Sequence, residues 1–134
     1  MLENNDIVLR LILSVVAGGF IGLEREIVHR PAGIRTHMLV CLGSCLFALI
    51  TIQTVPEEIA RIVAGVATGI GFLGAGTIFK SQSEVHGLTT AASVWAVAGI
   101  GLGLGFGLLY TVMVSVVLIL IVLNLNRLEF FRGL

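Results

Sequence analysis

At 134 residues the chain has the length of one domain. Hydrophobic residues make up 57% of it and charged residues 12%, where soluble domains carry about a quarter charged residues; a water-facing surface could not be covered. Eight basic residues balance eight acidic ones, so no net charge points to nucleic acid or to acidic partners.

The N-terminal hexapeptide MLENND is acidic and lacks a basic leader region, so the first apolar segment is expected to be retained. That segment runs from about Ile7 to Leu23, close to the roughly 20 apolar residues that cross a 30 Å hydrocarbon core. Ser14, Gly18 and Gly22 recur every fourth position, a spacing that lets another helix backbone approach. Arg10 lies about one turn inside and is expected to snorkel outward or pair with Asp6 at i,i+4. After Glu24-Arg25-Glu26, Pro31-Ala-Gly33 breaks the chain. A second span follows from about His37 to Thr54. Its Cys41 and Cys45 are four apart on one helix face, which reads as buried small residues rather than a redox pair. Thr54-Val-Pro56-Glu57 has the capping-box pattern and opens a third span, about Glu58–Phe79.

The end of the third span carries Gly69-Ile-Gly71-Phe-Leu-Gly74, which spells G-x-G-x-x-G. The dinucleotide reading requires a strand before it and a helix starting within it; here the motif sits inside an apolar span. A P-loop requires glycine before its lysine, and Phe79 precedes Lys80. No nucleotide is expected. The membrane reading assigns Gly65, Gly69 and Gly71 to helix packing. Gly74 and Gly76 either pack as well or unwind the helix next to Lys80.

The polar link Lys80–His86 leads to 40 residues, Gly87–Asn126, without a charge. As helix that is about 60 Å, two crossings rather than one. The GIGLGLGFG stretch, Gly99–Gly107, is the expected turn, because glycine costs a helix interior about 1 kcal/mol each. The fourth span is then about Gly87–Leu102 and the fifth about Phe106–Asn126. The fourth is rich in small residues around Ser93 and Trp95 and belongs to the packing set. Arg25, Arg30, Arg35, Lys80, Arg127 and Arg132 collect on one side, against Arg10 and Arg61 on the other. The positive-inside rule puts the C-terminus in the cytoplasm and the N-terminus outside.

The charged side gathers Glu24, Arg25, Arg35, Thr36, Lys80, His86, Thr89 and Thr90. Part of this set serves as a solvated, headgroup-anchoring rim. Glu24 fits that role poorly: a carboxylate at a helix C-terminus opposes the dipole and calls for a cationic partner among Arg25, Arg35 and Lys80. No metal assignment follows from these residues.

GGFIGLERE, GIRTHMLVCLG, GIGFLGAGTIFK and VHGLTTAASVWAVAGIG, in this order, resemble the MgtC/SapB family of bacterial inner-membrane proteins over about Asp6–Asn126. The resemblance implies an all-α integral membrane bundle of five helices and a multi-pass place in the inner membrane. It marks Asp6, Gly18, Gly22, Glu24, Arg25, Arg35, Thr36, Gly74, Gly76, Gly87, Thr89, Thr90 and Trp95 as motif positions. It also implies adaptation to low magnesium, acid or intracellular stress, virulence, and inhibition of the F-type ATP synthase through its membrane sector. The expectation is a single transmembrane domain over residues 1–134, without the ACT-like domain that virulence-associated members carry after the fifth helix.

Two functions follow. One is a non-enzymatic regulator without cofactor, docking on a membrane complex or on further copies of itself in the lipid bilayer. The other is a transporter or channel for magnesium or another ion. The carboxylates Asp6, Glu24, Glu26, Glu57, Glu58 and Glu84 all fall near helix ends; transport sites usually lie near the midplane, which favours the regulator and leaves a rim site at Glu24 and Glu84 as the transporter's alternative. No buried nucleophile is placed beside a base, so no enzyme is expected.

Overall fold

The computed structural model describes residues 2–125; Arg127 and Arg132, on which the orientation partly rested, lie outside them. Five helices form an all-α bundle: α1 Asn4–Ile27, α2 Ile34–Thr54, α3 Ile59–Ala75, α4 Leu88–Gly105 and α5 Leu109–Asn124. A single 3-10 turn, Pro56–Glu58, leads into α3. Among the described residues, four elements are long and apolar enough to cross a membrane: Asn4–Ile27, Ile34–Thr54, Pro56–Ala75 and Leu88–Gly105. The described part of α5 has 16 residues.

α4 is the hub and packs on each of the other four helices, whereas α3 leans on α4 and only lightly on α2. Lipid is as apolar as leucine, so the bundle is held by close packing rather than by a drive out of water. Ser14, Gly18, Ile21, Gly22 and Arg25 form the buried stripe of α1. The core continues through Val40, Cys41, Cys45 and Leu49 of α2 and Val94, Val97, Ala98 and Ile100 of α4. Cys41 and Cys45 are free and buried, as their spacing predicts.

Three local expectations are corrected. The glycine run does not break α4, which continues to Gly105. Gly101 and Gly105 are where α2 comes closest: a Cβ on Gly101 would fall on the Cys41 carbonyl oxygen, and one on Gly105 would lie 2.7 Å from the Cys45 carbonyl oxygen. Close approach between helices outweighs the weak helix propensity of glycine here. The turn comes later, at Phe106–Leu108, where Gly107 has φ +80°.

The third helix ends at Ala75 rather than Phe79 and is unbroken from Ile59 through Gly69, Gly71 and Gly74. Beyond it a two-stranded antiparallel hairpin forms, β1 Phe79–Ser81 against β2 Glu84–His86. The polar link between the third and fourth helices is thus an exposed hairpin. The capping box is also absent: Thr54 is the last residue of α2, and its hydroxyl donates to the Ile50 carbonyl at 2.7 Å.

Candidate functional site

A buried polar cluster sits where the last turns of α1 meet the first turns of α2 and α4. His37 is fully buried in a stripe with Val40, Cys41 and Ser44. Its Nδ1 lies 2.8 Å from the Gly33 carbonyl oxygen, and its Nε2 lies 3.0 Å from Ser93 Oγ on α4. Ser93 Oγ in turn lies 2.8 Å from the Thr90 carbonyl oxygen. Thr90 and Ser93 are buried too.

On α1, Arg25 is 3% exposed. Its Nε donates to Glu24 Oε2, and its Nη2 reaches the Leu123 carbonyl oxygen of α5 at 3.5 Å. Glu24 is 10% exposed, and its second oxygen, Oε1, is buried without a hydrogen-bond partner among the described residues. A buried charge requires pairing; here the pair lies on adjacent residues of one helix. The loop between α1 and α2 is clamped by Glu26, whose Oε2 accepts from the Ile34 amide at 3.0 Å. That carboxylate satisfies one of the amides left open at the start of α2. It also occupies the space a Cβ on Gly33 would need.

The expected polar network divides. Glu24, Arg25 and Thr90 enter the buried cluster. Arg35 is exposed and Thr36 half-buried, both lining a shallow cleft of about 330 Å³ with Glu26. Thr89 is exposed on the α4–α5 side. Lys80 and His86 belong to the exposed hairpin, where the His86 ring stacks on Phe79 at 5.3 Å and Nε2 lies 3.8 Å from Glu84. That hairpin keeps Lys80 out of the cluster. Asp6 is at the opposite end of α1, eighteen residues or roughly 27 Å from Glu24.

Arg10 does not pair with Asp6; its guanidinium reaches the turn after α4, beside Gly107. Its Nη1 donates to the Gly105 carbonyl at 2.7 Å and so closes the end of α4. Among the described residues no group of three or more His, Cys, Asp or Glu side chains gathers to hold a metal ion. With Gly69–Gly74 inside α3 and Lys80 on a strand, no phosphate-cradling loop exists there.

The packing set divides as well. Added Cβ atoms on Gly18 and Gly22 would come within 2.6 Å of the His37 carbonyl oxygen and the Ile34 Cα, so α1 and α2 meet there backbone to backbone. Ser14 is buried on the same stripe. Gly74 lies against Ala91 of α4, and Gly76 caps α3.

Gly65, Gly69 and Gly71, by contrast, have no neighbour within 4 Å of where a Cβ would stand. The tight intrachain packing expected of them does not occur, because α3 leans away from α2. Trp95 is 57% exposed on the outward stripe of α4, with Ala92 and Gly99; Val94, Val97 and Ala98 take the buried side. Between α2 and α3 an apolar groove of about 770 Å³ opens outward, with Gly43, Gly65 and Gly69 along it and Arg61 at one end.

A sequence model described as the MgtC family matches residues 11–129. The chain belongs to the MgtC family. Among relatives, YhiD of Escherichia coli K12, named as a candidate magnesium transporter, is 40% identical over 104 residues, covering 71% of this chain and 48% of YhiD. Protein MgtC of Salmonella typhimurium LT2 is 44% identical over 93 residues, covering 69% of this chain and 40% of that protein. Protein SrpB of Synechococcus elongatus is 42% identical over 106 residues, covering 68% and 58%. The chain thus spans about half the length of the curated relatives it matches. No solved structure matches it.

For this MgtC-family chain, sequence reasoning put His37 only at the opening of the second helix and missed its contact with Ser93. His37 was legible: it sits at i, i+3, i+4 and i+7 with Val40, Cys41 and Ser44, so a titratable ring shares the core stripe. Ser93 was hidden among the other small residues of α4, where nothing but its partner distinguishes it.

Proposed function

We propose that the chain is a non-enzymatic regulator in the bacterial inner membrane that docks on another membrane complex through helix–helix contact. The partner class is the one the family implies, the membrane sector of an F-type ATP synthase. The setting is adaptation to low magnesium, acid or intracellular stress. In this reading the buried-cluster end and the hairpin face the cytoplasm, following the distribution of Arg and Lys.

One observation carries the reading: the open groove between α2 and α3. Glycines exposed on a membrane helix gain nothing from lipid, and they let a second helix backbone come close. Gly43, Gly65 and Gly69 are open in this way, and the groove between the two helices opens outward along them. The test is co-purification from bacterial membranes with Gly65→Leu/Gly69→Leu as the comparison. ATP synthase membrane subunits captured by the wild type and lost with the double variant support docking. Equal capture by both removes the groove from the account. Capture of only a second copy of the chain makes the surface a homo-oligomer contact.

The second reading is ion transport, favoured by the name of YhiD. Reconstitution into liposomes with a magnesium-sensitive dye decides it. Robust uptake that disappears in Glu24→Gln would displace the regulator. Silent liposomes together with partner capture would displace the transporter.

A further inference from the structure

We propose that His37 is a proton-binding site, and that α4 reads its occupancy through the Ser93 hydroxyl. The geometry of donors and acceptors leads there. Nδ1 faces the Gly33 carbonyl oxygen, which can only accept, so Nδ1 carries a hydrogen in every state. Nε2 faces Ser93 Oγ, and Ser93 Oγ also faces the Thr90 carbonyl oxygen. The hydroxyl has one hydrogen and serves one of them at a time.

With His37 neutral, Nε2 is bare and the Ser93 hydroxyl donates to it. When a proton from the aqueous phase binds the Nε2 lone pair, Nε2–H donates to Ser93 Oγ and the hydroxyl turns to the Thr90 carbonyl. Every polar atom of the relay is satisfied in both states. One proton is gained, and no covalent bond breaks other than the one that released it to water. The α2–α4 hydrogen bond becomes charge-assisted, and so stronger, in the second state.

The charged groups facing the ring are accounted for on each packed element. α1 contributes Glu24 and Arg25. Glu26 is occupied by the Ile34 amide, and Arg35, on α2 itself, is exposed. α4 contributes only uncharged Thr90 and Ser93, and α5 the Leu123 carbonyl that Arg25 holds. Glu24 and Arg25 form an ion pair of no net charge, so a proton gained on His37 leaves one positive charge in the cluster.

The chain has three histidines and one tryptophan, and Trp95 is two residues after Ser93. With His29→Gln and His86→Gln, the full chain in nanodiscs leaves His37 as its sole imidazole for 15N NMR between about pH 5 and 8, where histidine switches. The expected result is one reversible protonation step whose neutral limb is the Nδ1–H tautomer. A neutral limb with the hydrogen on Nε2, or a ring that keeps one state throughout, overturns the proposal without any substitution in the cluster. Trp95 emission in the wild type is expected to change at the same midpoint and to lose that change in His37→Gln and in Ser93→Ala. Ser93→Thr, which keeps the hydroxyl, is expected to retain it. A wild type without the change, or a change that survives Ser93→Ala, refutes the coupling to α4.

Discussion

α3 and α4 both carry glycines four residues apart, and the two pairs have opposite fates. Gly101 and Gly105 of α4 are buried against the α2 backbone, while Gly65 and Gly69 of α3 meet nothing inside the chain. Over their spanning windows, 56% of α4 is buried and 6% of α3. A G-x-x-x-G spacing therefore records that a helix can be approached, and says nothing about which helix approaches it. In α4 the approach is spent on the bundle; in α3 it is left available.

The largest effect that separates the two pairs is steric. Gly101→Val and Gly105→Val each place a branched side chain where α2 carbonyl oxygens already are. Each is expected to cost about 3 kcal/mol, the upper part of the overpacking range. Denaturant titration of the detergent-purified protein measures it. Unfolding curves that overlay the wild type would mean that α2 and α4 do not approach as described.

A smaller loss is expected where α4 ends. Arg10 donates to the Gly105 carbonyl at 2.7 Å, and hydrogen bonds to charged groups are worth roughly 1.5–3 kcal/mol net. Arg10→Met keeps an apolar stem of similar reach and removes the donor. A loss of about 2 kcal/mol in the same titration supports a closing role for Arg10. No loss would return it to the headgroup anchor suggested by its place near the end of the first span.

These two contrasts also mark what was legible. Five apolar spans, the α1 stripe of Ser14, Gly18 and Gly22, and the break at Pro31–Gly33 follow from periodicity and punctuation, and the structure has elements at each. Gly101 and Gly105 were misread because intrinsic propensity penalises glycine in a helix, and tertiary contact overrides it. The pairing of Arg10 with Asp6 is not found because its partner is ninety-five residues away, beyond any local spacing rule. Glu24 called for a cation, and Arg25 supplies it. That His37 and Ser93 complete the cluster depends on how α2 and α4 cross, which no single-helix pattern contains.

The loop between α1 and α2 gives a contrast of about 1 kcal/mol. Glu26 caps the Ile34 amide across eight residues, and Glu26→Ala removes that acceptor. A cost near 1 kcal/mol, typical of a lost helix N-cap, is expected, with the largest rise in amide hydrogen exchange at the start of α2. Unchanged exchange there would mean that water replaces the carboxylate at no cost.

The smallest change in fold stability is expected at Gly65 and Gly69, and it has the opposite sign. Nothing stands within 4 Å of a Cβ at either position, so Gly65→Ala and Gly69→Ala add no clash. Alanine is better than glycine in a helix interior by up to about 1 kcal/mol, so both variants should be as stable as the wild type or slightly more so. Held beside Gly101→Val, they isolate the two uses of one motif. Substitution in α4 weakens the bundle, whereas substitution in α3 leaves it intact and alters only what reaches it from outside. If Gly65→Ala or Gly69→Ala destabilises the purified protein by more than about 1 kcal/mol, α3 is packed inside the chain after all. The α2–α3 groove would then be closed, and the contrast between the two helices would disappear with it.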